Sequence, residues 1–201
     1  MSGSLRIALA GAVIAALCTA AAAQTVRIRG TIEKVDGNAL TLKSSEGTEV
    51  KLLLAENATV VAVVKASMAD IKPGTFLGSA AMPQPDGSQK ALEVHIFPEQ
   101  MRGTGEGHRP YAPIPESTMT NGATSDSTVA GVEGSTIVVK YKDGEKKIVV
   151  PPNVPIVRYE IGDRGDLKTG AGVTVLAATT RPDGRLEASR INVGRDGVVP
   201  Q

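Results

Sequence analysis

The chain has 201 residues, with 22 Lys and Arg against 21 Asp and Glu, so its net charge is close to zero. Bulk electrostatics therefore give no basis for binding nucleic acid or an anionic membrane surface. The single cysteine excludes a framework of internal disulfides, so stability must come from packing.

Residues 1–23 have the three parts of a secretory signal peptide. Arg6 is followed by an apolar run over residues 7–17, and a run of small residues ends at Ala23. The apolar run is shorter than the roughly 20 residues that cross a bilayer, which argues against a membrane anchor. We therefore predict cleavage after Ala23 and a periplasmic or secreted protein without a transmembrane segment. Loss of Cys18 and Arg6 then leaves a mature chain with no cysteine and no net charge.

After residue 24 the sequence has the pattern of short strands separated by turns. Residues 25–33 alternate apolar and polar side chains, with Val26, Ile28 and Ile32 on one face, as in a half-buried strand. Gly30 interrupts this face, which predicts a bend or bulge. Further predicted strands cover 39–43, 48–54, 59–65, 75–81 and 91–96, and residues 66–71 predict a short helical segment.

The chain contains an internal repeat. Asp-Ile-Lys-Pro-Gly at 70–74 recurs as Asp-Leu-Lys-Thr-Gly at 166–170, and the Pro-Asp-Gly turn at 85–87 recurs at 182–184. An offset of 96 or 97 residues relates the two copies, and their turn glycines stay in register. Glycines that tolerate a positive φ mark fixed backbone positions, so this register predicts a duplicated fold.

The repeat predicts an all-β protein of two tandem small barrels. Five or six strands with a short helical segment before the fourth are typical of an OB-like barrel, and SH3-like barrels are the alternative. We place the first barrel at 25–97 and the second at 128–193. Residues 98–127, rich in Gly, Pro, Ser and Thr, are predicted to be a linker, and residues 194–201 a loose tail.

The predicted linker holds the residues that best suit a metal. His108 and Glu106 lie in a glycine-rich stretch, with Met101 and Met119 further away. Histidine and methionine suit copper, while glutamate and histidine suit zinc. The spacing matches no recognised ligand motif, so our main expectation is a protein without a cofactor, and copper or zinc is the alternative.

His95 is the other histidine, and Glu93 shares its face of a predicted strand. Because His95 aligns with Asn192 in the second repeat, we interpret it as an ordinary surface residue. The chain has no Gly-x-Ser-x-Gly elbow, no P-loop and no carboxylate pair that stands out from its other acids. The predicted second and third strands of the first repeat also lack aromatic residues on which bases could stack.

The motifs resemble those of secreted bacterial proteins built from tandem small OB-like domains of unknown function. The resemblance covers both repeats and rests on four features besides the signal peptide: Gly-Thr-Ile-Glu-Lys-Val-Asp-Gly at 30–37, the motif at 70–74, Pro-Asp-Gly at 85–87, and Glu-Val-His-Ile at 93–96. It implies a fold and carries over no catalytic or binding residue. The second copy departs from the opening motif, because Ser127 aligns with the first glycine.

We therefore predict an exported, non-enzymatic binding module of the bacterial envelope. Its partner would be an envelope protein or a small extracytoplasmic ligand, engaged by two similar surfaces on one chain. The linker residues best suited to contact it are Arg102, His108, Arg109 and Tyr111. The alternatives are a periplasmic copper- or zinc-binding protein that uses the His108 segment, and a hydrolase with a site between the repeats.

Overall fold

The structure, a computed structural model, describes residues 25–131 and 134–200, and the predicted signal peptide lies outside them. The described chain is almost all β, as predicted, and no helix in it is long and apolar enough to cross a membrane. The strands are β1 Thr25–Asp36, β2 Ala39–Ser44, β3 Glu49–Lys65, β4 Phe76–Pro83, β5 Gln89–Ile96, β6 Gly107–Pro110, β7 Thr118–Gly131, β8 Gly134–Tyr141, β9 Gly144–Val150, β10 Ile156–Ile161, β11 Gly172–Thr180 and β12 Leu186–Gly194. The predicted helical segments are single 3-10 turns at Met68–Asp70 and Arg164–Asp166, and Glu99–Met101 adds a third.

The strands form two closed five-stranded barrels. Barrel A consists of β1, β2, β3, β11 and β12, and a parallel contact between β12 and β3 closes it. Barrel B consists of β4, β5, β7, β8 and β9, and a parallel contact between β5 and β9 closes it. β10 lies between them, antiparallel to β3 and parallel to β5. This confirms the prediction of an all-β fold with OB-like barrels.

Each barrel combines strands from both repeats. The first repeat contributes β1–β3 to barrel A and β4–β5 to barrel B, while the second contributes β7–β9 to barrel B and β11–β12 to barrel A. The predicted boundaries, one barrel at 25–97 and one at 128–193, are corrected accordingly. The physical reason lies in β3, which is 17 residues long and unbroken. A bulge sets its residues 55–58 against a single residue of β12, yet β3 continues from its pairing with β2 in barrel A to its pairing with β10, so it carries the chain from one barrel to the other.

The two halves are related by an approximate two-fold axis through the β3–β10 pair. Val63 pairs with its own repeat equivalent, Tyr159. Val61 and Lys65 have Val157 and Ile161 as their repeat equivalents. Val61 pairs with Ile161 and Lys65 pairs with Val157, so exchanging the two halves leaves the pairing unchanged, as two-fold symmetry requires. Residues 59–65 are thus an extension of the third strand.

In the second repeat this long strand is divided into β9 and β10. The interruption contains Pro151, Pro152 and Pro155, and proline has no N–H to donate to a strand ladder. The chain turns here and then runs back along β3 toward barrel A.

The predicted linker at 98–127 is also corrected, because it contains β6 and the first half of β7. Its small residues serve close packing. A Cβ at Gly122 would collide with the Lys140 carbonyl oxygen, just as one at Gly30 would collide with that of Lys43. Gly122, and not Ser127, is therefore the structural equivalent of Gly30. Sequence alignment missed this because a bulge between Thr124 and Thr128 shifts the register.

Each barrel has its own apolar core. The largest side chains in barrel A that are almost fully buried are Ile32, Leu40, Leu42, Leu52 and Ile191. Those in barrel B are Leu77, Ile137 and Ile148, with Val94 and Val139. A third cluster of Val61, Val63, Val157 and Tyr159 lies on the outer face between the barrels. The interface between the barrels is therefore a core in its own right.

The tail after β12, predicted to be loose, is held against the protein. The Arg195 guanidinium lies 2.7 Å from an oxygen of Asp166 and 2.7 Å from one of Glu160. The Thr174 hydroxyl donates to the Pro200 carbonyl at 2.9 Å. Hydrogen bonds from Arg195 lower the pKa of Asp166, so this ion pair stabilises the fold above the unfolded carboxyl's ordinary pKa and is lost as the pH falls through the lowered value.

The exchange of strands can be tested with a disulfide between β1 and β11. Val26 lies opposite Ala178, and directly opposed residues of antiparallel strands have Cα atoms about 4.5–5.5 Å apart, within disulfide reach. In a Cys18→Ser background, we expect Val26→Cys/Ala178→Cys to form an intramolecular disulfide under mild oxidation. Non-reducing electrophoresis and peptide mass mapping of the monomer measure it.

The matched control is Val26→Cys/Ala81→Cys, because Ala81 is the repeat equivalent of Ala178 and is equally buried. A barrel built from one repeat would place Val26 opposite Ala81. Disulfide formation in this control variant, and not in the first, would contradict the observed topology.

Candidate functional site

A cleft of about 730 Å³ lies between the first strand of barrel A and the outer face of barrel B. One wall is formed by residues 26–29 of β1 and the turn after β2, and the other by Ala80, Glu93 and the loop from Tyr111 to Ile114. Its volume is in the range of natural ligand sites, roughly 300–1,000 Å³. Both repeats contribute to it, so it exists only because the barrels are joined as they are.

A second cavity, of about 740 Å³, is lined mainly by the proline-rich loop before β10, the 3-10 segment after β3 and the tail. Its charged side chains are Lys65 and Glu93. The two cavities are nearly equal in size, so their chemistry must decide between them. The first cleft brings two arginines, the exposed Glu46 and the buried Glu93 together with exposed apolar side chains, and we treat it as the candidate site.

The arginines of the cleft are Arg27 and Arg29. Alternation along β1 directs Ile28 into the core of barrel A and places both arginines on the outer face. Arg27 is exposed and Arg29 is half-buried. None of the ion pairs between described residues involves either of them. Both guanidinium groups are therefore available to a carboxylate or another anion.

Three large apolar side chains of the cleft are exposed to solvent. Val26 is 40% exposed, Leu92 36% and Ile114 38%. A register shift in the β4–β5 pair leaves Leu92 without a partner between Ala91 and Glu93. Leu92 is therefore the extra residue of a β-bulge, and it lines the cleft. Apolar side chains next to arginines are a common composition of protein-binding surfaces.

Glu93 in the cleft wall contacts His95. Alternation along β5 sends Val94 and Ile96 into barrel B, so Glu93 and His95 share the outer face as predicted. Their Oε1 and Nε2 atoms are 3.0 Å apart, an ion-pair distance without hydrogen-bond geometry. His95 is only 7% exposed. The interpretation of His95 as an ordinary surface residue is wrong, because a side chain of the neighbouring strand β10 covers its ring.

Tyr159 provides that cover. Its ring stacks on His95 with centroids 5.3 Å apart and planes 20° from parallel. Burial raises the pKa of the Tyr159 hydroxyl far above its ordinary value, and the negative charge of Glu93 acts in the same direction, while Arg190 and Arg27 oppose it. The hydroxyl stays neutral at physiological pH and is not a candidate for a nucleophilic phenolate.

The four residues of the predicted metal site have separate contacts. The His108 Nδ1 lies 2.8 Å from the Thr120 hydroxyl, and burial together with Lys146 lowers the pKa of His108. Glu106 accepts a hydrogen bond from the Lys142 backbone. Met119 is buried, and Met101 packs on the cluster between the barrels. The described residues contain no group of three or more His, Cys, Asp or Glu placed to hold a metal, and the copper or zinc site stays a prediction.

Of the four residues predicted to contact a partner, Tyr111 lines the cleft. Arg102 instead forms a bidentate pair with Glu99, with nitrogen–oxygen distances of 2.6 and 2.8 Å. Arg109 donates to the Gly105 carbonyl oxygen, and His108 lies in β6. The structure therefore brings only Tyr111 to the candidate site, and the partner role of the four residues stays a prediction.

Sequence reasoning missed Arg27, Arg29 and Leu92. The alternation that predicted β1 already placed both arginines on one outer face, so this part of the site was visible. The residues of β5 that face the arginines could not be predicted, because the position of β5 relative to β1 depends on the exchange of strands between the barrels.

The chain matches no protein-family model, no curated protein and no solved structure. The resemblance to secreted tandem OB-like domains therefore stays an expectation.

The buried Tyr159 can be detected by alkaline titration. At about pH 11, where a free tyrosine is ionised, we expect the native protein and Tyr159→Phe to have the same tyrosinate absorbance. In denaturant at the same pH, the wild-type chain should gain one tyrosinate more than the variant. Since unfolding lets Tyr159 release its proton, wild-type stability should fall more steeply above pH 10 or so. If native Tyr159→Phe has one tyrosinate fewer than the native wild-type protein at about pH 11, Tyr159 ionises in the folded protein, which would contradict its buried environment.

Proposed function

We propose that the protein is an exported, non-enzymatic binding module of the bacterial envelope that holds an anionic partner in the cleft between its barrels. The observation that carries the proposal is the pair Arg27 and Arg29, which have no acidic partner among the described residues. Next to them are the exposed side chains of Val26, Leu92 and Ile114. A ligand with both carboxylates and apolar groups would satisfy this surface.

Export is supported by the sequence of residues 1–23, which has the charge, apolar run and small residues of a signal peptide. The resemblance to secreted proteins of tandem OB-like domains points the same way. In the envelope, a neutral mature chain does not attract polyanions as a whole, so selectivity for an anion would come from this local pair of arginines.

A hydrolase is the second candidate, and the Glu93–His95 contact in the cleft wall favours it. A glutamate and a histidine within 3.0 Å could in principle exchange a proton with a substrate. Their side chains, however, are only 10% and 8% exposed, and they contact each other. The exposed side chains of the cleft instead include the charged Arg27 and Glu46 and the apolar Val26, Leu92 and Ile114, a composition that favours binding over catalysis.

Partner capture from envelope extract tests the proposal. Immobilised wild-type protein should retain a partner that the variant Arg27→Ser/Arg29→Ser loses, with binding weaker by about tenfold for two exposed charge pairs. Lys34→Ser/Lys51→Ser is the matched control, because it removes the same charge from exposed sites of barrel A outside the cleft. It should capture as wild type does.

Equal capture by all three proteins, or equal loss in both variants, would refute the cleft as the binding site. The hydrolase reading is tested separately with a panel of ester, peptide and phosphate substrates. Turnover that Glu93→Gln abolishes and Arg27→Ser/Arg29→Ser spares would replace the binding proposal by an enzymatic one.

A further inference from the structure

The first half of β1 has a free backbone edge that lines the cleft. β11 pairs with one edge of β1, and β2 pairs with the other edge only from Gly30 onward. The Arg29 carbonyl accepts from the Ser45 N–H at 2.8 Å, so the backbone groups of Arg29 point toward this second edge. Because strands alternate, those of Arg27 do so as well. Within the described residues no strand pairs with β1 at Arg27.

The other half of the molecule has a strand at the equivalent place. Gly122 is the equivalent of Gly30, so Asn121 corresponds to Arg29 and Met119 to Arg27. β6 pairs antiparallel with this part of β7, with Gly107 opposite Asn121 and Arg109 opposite Met119. The protein therefore already contains one example of a short extended segment added to this edge of its barrel.

The surroundings of β6 also have counterparts in the cleft. The His108 ring stacks on Tyr141 with centroids 6.4 Å apart, and Glu106 accepts from the Lys142 N–H at 3.0 Å. Tyr141 and Lys142 are the repeat equivalents of Ser44 and Ser45, which line the cleft. The cleft is thus bounded in barrel A by the same elements that hold β6 in barrel B.

We infer that the cleft takes an extended acidic peptide, which adds to β1 as a further antiparallel strand in the position that β6 has on β7. This rests on the proposed binding function and names the chemistry of the partner. Residues directly opposite each other in paired strands share a face. The peptide therefore needs acidic residues opposite Arg27 and Arg29, and an apolar residue between them on the side of Ile28.

The two kinds of contact have separate roles. The Arg29 carbonyl is already bound by Ser45, so hydrogen bonds to the Arg29 N–H and to the backbone of Arg27 provide affinity for any extended chain, as in other cases of strand addition. The two guanidinium groups select acidic side chains and reject basic ones, and they act against the single exposed carboxylate of the cleft, that of Glu46. The two halves also differ in charge at this edge. The positions on β7 equivalent to Arg27 and Arg29 are the uncharged Met119 and Asn121, so only the edge of β1 can select an acidic peptide.

The test uses the full chain and a fluorescein-labelled peptide, acetyl-Ser-Glu-Val-Glu-Ser-amide, at low ionic strength. Fluorescence anisotropy should show saturable binding that Arg27→Ser/Arg29→Ser weakens about tenfold and Lys34→Ser/Lys51→Ser leaves unchanged. Replacing both peptide glutamates by lysine should abolish binding. Hydrogen exchange should become slower at the Arg27 and Arg29 amides.

Methylation of the peptide backbone separates strand addition from mere charge attraction. In the proposed pairing the N–H of the second glutamate faces the free carbonyl of Arg27, and the valine N–H faces away from β1. N-methylation of the second glutamate should therefore abolish binding, while N-methylation of the valine should largely preserve it.

The inference and the proposed function fail in different ways. Strand addition is wrong if N-methylation of the second glutamate and of the valine has the same effect and hydrogen exchange at the Arg27 and Arg29 amides is unchanged. If peptide binding still depends on the arginines in that case, the cleft remains the site. If no acidic peptide binds while partner capture still depends on the arginines, the inferred partner chemistry is wrong. Equal weakening in Lys34→Ser/Lys51→Ser would reduce the binding to bulk electrostatics and overturn the inference.

Discussion

The antiparallel pairing of β3 with β10 is the contact on which the rest of the structure depends. Because β3 continues without a turn past the end of barrel A, it delivers β4 and β5 to barrel B, and β10 returns along it with β11 and β12. The pairing also buries Val61, Val63 and Tyr159 against one another. Loss of this pairing would remove both this shared core and the alignment of the two barrels that forms the cleft.

The two halves differ at the candidate site. The second repeat is preceded by residues 98–117, which supply β6 and cover the edge of β7. In the described chain the corresponding edge of β1 has no such cover, and it carries Arg27 and Arg29 where β7 has Met119 and Asn121. The two similar barrels therefore differ at this edge, because β6 pairs with β7 and no described strand pairs with β1 at Arg27. This asymmetry is the physical basis for placing function in barrel A.

The features that sequence predicted well were local. Alternation located the strands, and turn glycines located the hairpins and the repeat, because each depends on a few neighbouring residues. The predicted barrel boundaries were wrong because no local sequence pattern specifies whether β4 or its repeat equivalent β11 pairs with β1. His95 was misread for the same reason: Tyr159, which covers it, comes from the other repeat. Residues 118–124 resembled a linker because close contacts require small side chains there, as at Gly122.

The most direct measurement of the central claim, that each barrel is built from both repeats, is a set of backbone nuclear Overhauser effects in the monomeric protein. In the structure Ile28 lies opposite Val175 across the β1–β11 pair. The account predicts cross-strand effects between these two residues and between Thr120 and Ser79, which pair in barrel B. Effects between Ile28 and Ser79, with none between Ile28 and Val175, would contradict it, because they would mean that each repeat closes its own barrel.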